Sequence, residues 1–270
     1  MAKNAVKITI SLLWYCGEVV RSTATRLLGR RGDPRFIVLY YHGVGGDATA
    51  GFARQMDLLE RIATVVRADH TGPLPGSRRC VAITFDDAFR SVREHALPEL
   101  VRRSLPLTIF VPVEYVGSPP GWAMESPVDH EEVMTGEELR ALPDNVDLGS
   151  HTLSHPHLSQ LSDERLQEEV EQSRLKLVEL VGKPVTTLAF PYGDYDQRTL
   201  AACRTAGYER LFAIEPRLAD PRGADFVRGR IAVEPTDSAL VFRLKASGAF
   251  AWMTYASALK SRLLARRSRP

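Results

Sequence analysis

Cysteine is scarce. Only Cys16, Cys80 and Cys203 occur in 270 residues, a number and spacing that build neither a disulfide framework nor a Cys-based zinc site and that fit a reducing compartment. Long hydrophobic runs are absent as well. The apolar stretch from Ile8 to Cys16 is interrupted by Thr9 and Ser11 and stopped by Glu18, so it is too short for a spanning helix. A basic start before a short apolar core has the outline of a signal peptide, but no small-x-small cleavage site follows. The reading adopted is a retained amphipathic helix, lying either on the inner membrane surface or against its own domain. Repeats and low-complexity segments are lacking. No aromatic-basic interleaving or recognition motif accompanies the basic residues, which sets nucleic acid aside as a partner.

What is present belongs to a globular α/β protein. The length suits one large domain or two small ones, and 44% hydrophobic with 25% charged residues is the balance of a soluble fold. The net charge of +2 hides an uneven distribution. Residues 1–31 carry a net +5 and residues 259–270 another +5, leaving −8 on the body between. The expected organisation is a basic amphipathic segment over 1–31, one α/β domain over 32–250 and a basic tail over 251–270. Basic ends on an acidic body suggest peripheral contact with an anionic membrane, or simple solvation of two helix ends. The expected location is cytoplasmic, at the inner membrane face.

Strand and helix signals alternate along the body. Phe36 to Tyr41 reads as a strand ending in His42-Gly43-Val44-Gly45-Gly46, and Phe52 to Val66 has helical spacing. The run Cys80-Val81-Ala82-Ile83-Thr84-Phe85 reads as a strand buried on both faces, and it ends in two adjacent carboxylates, Asp86 and Asp87. A helix over about 91–103 with a kink or break at Pro98, and a strand over 107–113, come next. Residues 117–135 form a long loop of glycines, prolines and acids, in which Trp122 either stacks on a ligand or anchors the loop. Thr135 and Glu138 have capping-box spacing. A short strand over 146–150 delivers His151 and His155, and an amphipathic helix from Ser162 to about Val181 is closed by Gly182. Strands over 185–190, 208–214 and 228–233 complete a parallel, barrel-like architecture.

Polar groups recur at these strand ends: His42, Asp86 and Asp87, His151 with His155, and Tyr192. In a parallel barrel the strand ends share one face. Two imidazoles and one carboxylate are a suitable shell for zinc or another divalent transition metal. The alternative for Asp86 or Asp87 is a helix cap. His157 lacks a matching partner and reads as a surface residue.

Three ordered motifs carry a resemblance. Thr84-Phe85-Asp86-Asp87, His151-Thr152-Leu153-Ser154-His155 and Phe190-Pro191-Tyr192-Gly193 are similar to those of the NodB-homology polysaccharide deacetylases, carbohydrate esterase family 4. The likeness runs from about residue 36 to 233 and implies a distorted (β/α)7 barrel. It implies removal of N-acetyl or related acyl groups from amino sugars of a polysaccharide or lipid-linked glycan. It further implies Asp87, His151 and His155 as ligands of one divalent metal, zinc with cobalt or nickel as alternatives, and Asp86 as base acting on metal-bound water. The Tyr192 position would stabilise the oxyanion through its backbone N–H.

The chain departs from the pattern twice. Ala189 stands where many members carry the arginine that orients the base, and Arg230 or the nearby Arg228 is the replacement expected here. Ile231-Ala232-Val233 stands where many carry a late Leu-x-His acid, and no histidine follows His157. His42 is the candidate acid, because the Tyr-His start resembles that of biofilm poly-N-acetylglucosamine deacetylases. A strand-end hydrogen bond to the glycine turn is its other reading. The competing functions are deformylation of a lipid-linked amino sugar and carbohydrate binding without turnover.

Overall fold

A computed structural model describes residues 2–29, 34–75, 79–122 and 131–257. The basic tail beyond 257 and the centre of the 117–135 loop lie outside the described residues. Helix α1 (Ala2–Leu27) precedes β1 (Arg35–Tyr41), α2 (Thr49–Ile62), the two-residue β2 (Thr64–Val65) and β3 (Arg79–Phe85). A π-helical turn at Val92–Ala96 runs into α3 (Leu97–Arg102), followed by β4 (Leu107–Val111), α4 (Gly136–Arg140) and β5 (Val146–Ser150). Then come α5 (Asp163–Val181), β6 (Thr187–Ala189), α6 (Gln197–Thr205), β7 (Arg210–Phe212), β8 (Val227–Arg228), β9 (Ile231–Ala232) and α7 (Ala239–Ala246).

Every strand pairing is parallel, in the order β8-β7-β6-β5-β4-β3-β1-β9 with β2 beside β3. This is the curled sheet of a distorted (β/α)7 barrel. Alternation along the strands sorts two cores. Ile37, Leu39 and Tyr41 of β1 and Val81, Ile83 and Phe85 of β3 pack outward with helix residues such as Phe52, Met56, Leu166 and Val170. Phe36, Val38, Cys80, Ala82, Phe110, Ala189 and Phe212 form a second cluster with no residue from α1–α7, which is the barrel interior. Continuing the inward register, Tyr40 leads to His42, Thr84 to Asp86 and Gly149 to His151. The period of two therefore delivers three polar side chains to one mouth.

Local signals set several boundaries. Glu138 N–H donates to Thr135 Oγ1 at 3.2 Å while Glu138 Oε2 accepts from the Thr135 N–H at 2.8 Å, the reciprocal pair that starts α4. Ser162 caps α5, and Gly182 closes it at φ 66°. The helical stretch expected over 91–103 is irregular next to Pro98: the π-helical turn Val92–Ala96 ends just before it and α3 continues regularly to Arg102.

The expected strand over 228–233 is two strands. β8 pairs with β7 at one edge of the sheet and β9 with β1 at the other, so Gly229 and Arg230 cross the gap that the sheet leaves open. A Cβ on Gly229 would meet Glu215 O at 2.3 Å, which is why the crossing admits only glycine there. The strands expected over 185–190 and 208–214 are also shorter, three residues each, because their ends turn into the loops of the mouth.

Gly149 of β5 shows how tightly the interior is filled. A Cβ there would lie 2.5 Å from both Phe110 Cε1 and Thr187 Oγ1. Gly149→Ala is expected to destabilise by about 1–3 kcal/mol through overpacking. Thermal unfolding should show the midpoint falling by several degrees; an unchanged midpoint would contradict this packing.

Candidate metal centre and active site

The site begins where β3 ends. Asp86 continues the inward register and donates its N–H to Tyr41 O at 2.9 Å. Asp87 turns at φ 66°, which separates the two neighbouring side chains. Of the six non-glycine residues with positive φ among those described, four lie in the three motifs, Asp87, Thr152, His155 and Tyr192, and Ala88 directly follows the first. Strained backbone collected at one place is a mark of a site over-determined by its surroundings.

Asp86 is buried and bound twice. Arg230 Nη1 donates to Asp86 Oδ1 at 2.6 Å and Nη2 to Oδ2 at 2.8 Å. The guanidinium is itself fully buried, lies 4.6 Å over the Tyr40 ring and also donates to Ala213 O and Thr84 Oγ1. Burial works to raise the Asp86 pKa, but Arg230 and then His151 outweigh it, and the carboxyl is held below its usual range. Of the two candidate arginines, Arg228 is engaged elsewhere, with Asp225, Ala68 O and His70 O. Arg230 therefore stands at the carboxylate that Ala189, a small inward residue of β6, cannot reach.

Asp87 has the opposite environment. Burial, and then the charge of Asp86, push its carboxyl well above the ordinary value. His151 Nε2 lies 3.5 Å and His155 Nε2 3.4 Å from Asp87 Oδ1. Burial is the main cause that lowers His151 to about 4 and His155 to about 2, so both imidazoles are neutral. His151 Nδ1 bonds Ala189 O at 2.8 Å, which places its proton there and leaves the Nε2 lone pair facing Asp87. Asp87 Oδ1 has no hydrogen-bond partner among the described residues.

Two neutral imidazoles converging on a carboxyl whose Oδ1 has no hydrogen-bond partner among the described residues suit a cation. The donor atoms of Asp87, His151 and His155 all lie within 4.8 Å of one another. Tetrahedral ligands about 2.1 Å from a zinc ion stand about 3.4 Å apart, close to the two Asp87–His separations. The residues present fit a divalent transition metal.

The polysaccharide deacetylase family model matches residues 74–211. The chain belongs to that family. YxkH of Bacillus subtilis, whose name places it among the polysaccharide deacetylases, is 26% identical over 167 residues, which is 62% of this chain and 56% of that protein. The poly-β-1,6-N-acetyl-D-glucosamine N-deacetylase of Staphylococcus aureus is 25% identical over 166 residues, 58% of this chain and 55% of that enzyme. The chain thus spans about half the length of these relatives. Among solved structures, IcaB from Ammonifex degensii superposes with a TM-score of 0.66 at 26% identity, over 82% of this chain and 99% of that one. The Streptococcus pyogenes deacetylase PplD superposes at 0.64 with 19% identity, over 78% and 98%, a likeness of fold.

Within this family member the remaining candidates take distinct places. His42 is exposed at the mouth, its ring 5.7 Å from that of Tyr40. Tyr192 sits in a 3₁₀ turn at φ 56°, edge-on to His155 at 4.8 Å. His157, read as an unpartnered surface residue, in fact stacks on Tyr192 at 4.1 Å. Trp122 stacks on His155 at 4.3 Å and meets Tyr115 edge-on, so one face of its ring serves a candidate ligand and anchors the loop.

Two carboxylates were not selected from the sequence. Glu131 Oε1 would lie 3.1 Å from a Cβ on Gly43, and its charge adds to the upward push on Asp87. It comes from an acidic loop stretch with nothing to single it out. Glu169 of α5 is fully buried and gathers the turn between the histidines. It accepts from the Leu153 N–H at 3.0 Å, the Ser154 N–H at 2.9 Å and the Ser154 hydroxyl at 2.5 Å. An acid on the buried stripe Leu166, Val170, Ser173 and Leu177 was its one sequence signal.

Glu169→Ala would leave two buried N–H groups unsatisfied at about 1–3 kcal/mol each and loosen the turn that carries His155. Calorimetric titration should show zinc affinity falling about 10–100-fold, the range for residues that support ligands. Parent-like zinc affinity in a folded variant would refute this role.

Proposed function

We propose that this chain hydrolyses N-acetyl groups from amino sugars of a polysaccharide, with zinc as the metal. One observation carries the reading. The buried, doubly bonded Asp86–Arg230 pair stands beside three converging donors, two of them neutral imidazoles, in a chain of the deacetylase family. Similarity to an enzyme named for poly-β-1,6-N-acetyl-D-glucosamine supports an N-acetylated β-glycan as the substrate class.

Asp87, His151 and His155 would hold the cation, which supplies an acidified water and polarises the amide carbonyl. Asp86 takes the proton of the attacking water. Arg230 keeps its carboxylate ionised and fixed in plane, so little reorganisation accompanies the transfer. The backbone N–H of Tyr192 donates to the oxygen that becomes negative as the carbonyl carbon turns tetrahedral. Cleavage of the C–N bond then needs a proton on nitrogen, delivered by His42 from the end of β1. The products are acetate and a free amine on the sugar.

Asp86→Asn should lower acetate release from N-acetylglucosamine oligomers by about 10²–10⁴-fold while zinc still binds. Activity near the parent level would sink the assignment of the base. Chelation should abolish turnover, and zinc or cobalt should restore it; activity that survives full chelation would remove the metal from the reaction.

The acid is tested by the leaving group. His42→Ala should lose about 10²-fold or more on N-acetylglucosamine oligomers yet keep hydrolysis of 4-nitrophenyl acetate, whose phenolate departs without protonation. Equal losses on both substrates would show that His42 does not serve the amine nitrogen.

A further inference from the structure

We propose that α1 lies on an anionic lipid surface and holds the protein with its catalytic mouth turned away from the bilayer. The helix is built with its polarity reversed. Ile8, Ser11, Tyr15, Glu18, Ser22 and Thr25, spaced three and four apart, form the stripe that faces the body. Ile8 and Tyr15 of that stripe pack against the core, but its other four residues are polar, and two of them make polar contacts with the body. Trp252 Nε1 donates to Ser11 Oγ at 2.9 Å, and Arg35 pairs with Glu18.

The opposite stripe is apolar and open. Val6, Leu13, Val20 and Leu27 are 57%, 68%, 69% and 84% exposed, with Ile10 and Ala24 between them at the same spacing. A helix that only closed a core would turn these residues inward. Among the described residues no helix is long and apolar enough to cross a membrane. An apolar face with a polar back is the form of a helix that lies in the interface.

Charge decides the occupant. Lys7 and Arg21 are exposed along one flank of the apolar stripe, and α1 carries no acid except Glu18, which is turned to the body and paired with Arg35 and with Arg21. A second copy would bring like charges to that flank with no complementary acid from the helix. Trp14 on the same flank stacks on Tyr255 at 6.3 Å, so the chain leaves the described residues beside α1 just before the five cations of 259–270. α1, with four cations and one acid in its sequence, thus gives a basic pole to a body that carries −8. Anionic headgroups complement that pole, and aromatic rings suit the headgroup boundary.

The helix also fixes orientation. Arg35, the partner of Glu18, is the first residue of β1, and its register partner Arg79 is the first of β3. α1 therefore sits where strands begin, while His42 and Asp86 stand where they end, about 20 Å away along a seven-residue strand. On the proposed function, a mouth facing away from the lipid takes a glycan chain in solution and not a sugar on a lipid of the same membrane.

Flotation of the full chain with vesicles containing about one-third phosphatidylserine tests this at about 0.1 M salt. The protein should float with them, stay down with pure phosphatidylcholine, and be released by high salt. Leu13→Glu with Val20→Glu should abolish flotation, and Lys7→Gln with Arg21→Gln should weaken it on the order of tenfold or more. No flotation of the parent, equal flotation of the Leu13/Val20 variant, or a dimer that this variant dissolves would overturn the proposal. For orientation, a variant that retains only Trp14 should be quenched by brominated lipid tails, and one that retains only Trp122 should not. Quenching of Trp122 would place the mouth against the bilayer and overturn that part. Neither readout needs turnover, so a failed deacetylation assay leaves them standing.

Discussion

The buried pair of Asp86 and Arg230 is the constraint to which the rest of the barrel answers. A carboxylate inside a fold is expensive unless a charge and hydrogen bonds accompany it. Here both oxygens are held by one guanidinium that is equally buried. Small inward residues at Ala82, Gly149 and Ala189 line the same interior. The chain supplies the arginine from the two-residue crossing between the sheet edges, so closing the barrel and charging the site are one structural event. Removing either partner alone would leave an uncompensated buried charge, which commonly costs about 3–5 kcal/mol.

That pair also splits two adjacent acids into different chemical roles. Asp86 is held ionised below its usual range, while Asp87, one residue on, is pushed well above it by burial and by its neighbour. Environments that drive neighbouring titratable groups apart mark the division of labour at many catalytic sites. A cation between Asp87, His151 and His155 relieves the second carboxylate just as Arg230 relieves the first. Glu169 and Ala189 O act one step further out, by fixing the turn and the tautomer on which the two histidines depend.

Much of this was readable from residue order, and the gaps have physical reasons. Runs buried on both faces, capping pairs and three ordered motifs announce the parallel barrel and its mouth, because they depend on neighbours in sequence. The choice between Arg228 and Arg230 depends on where the sheet opens, and no local pattern encodes that. The strand over 228–233 was misjudged for the same reason: its halves pair with opposite edges. Trp122 and His157 carry aromatic contacts set by loops whose paths follow from tertiary packing. Glu169 was legible in principle, as an acid on an apolar stripe. The apolar outer face of α1 was legible only as amphipathicity, since the sequence does not say which side the body takes.

The central claim is that Asp87, His151 and His155 form one metal centre beside a charged, arginine-held Asp86. Anomalous scattering at the zinc edge from crystals grown with zinc tests it most directly. The account predicts one strong peak about 2.0–2.2 Å from an Asp87 oxygen and both Nε2 atoms, lost in His155→Ala. A protein that binds no zinc there, or a peak that leaves any of the three side chains uncoordinated, would contradict it.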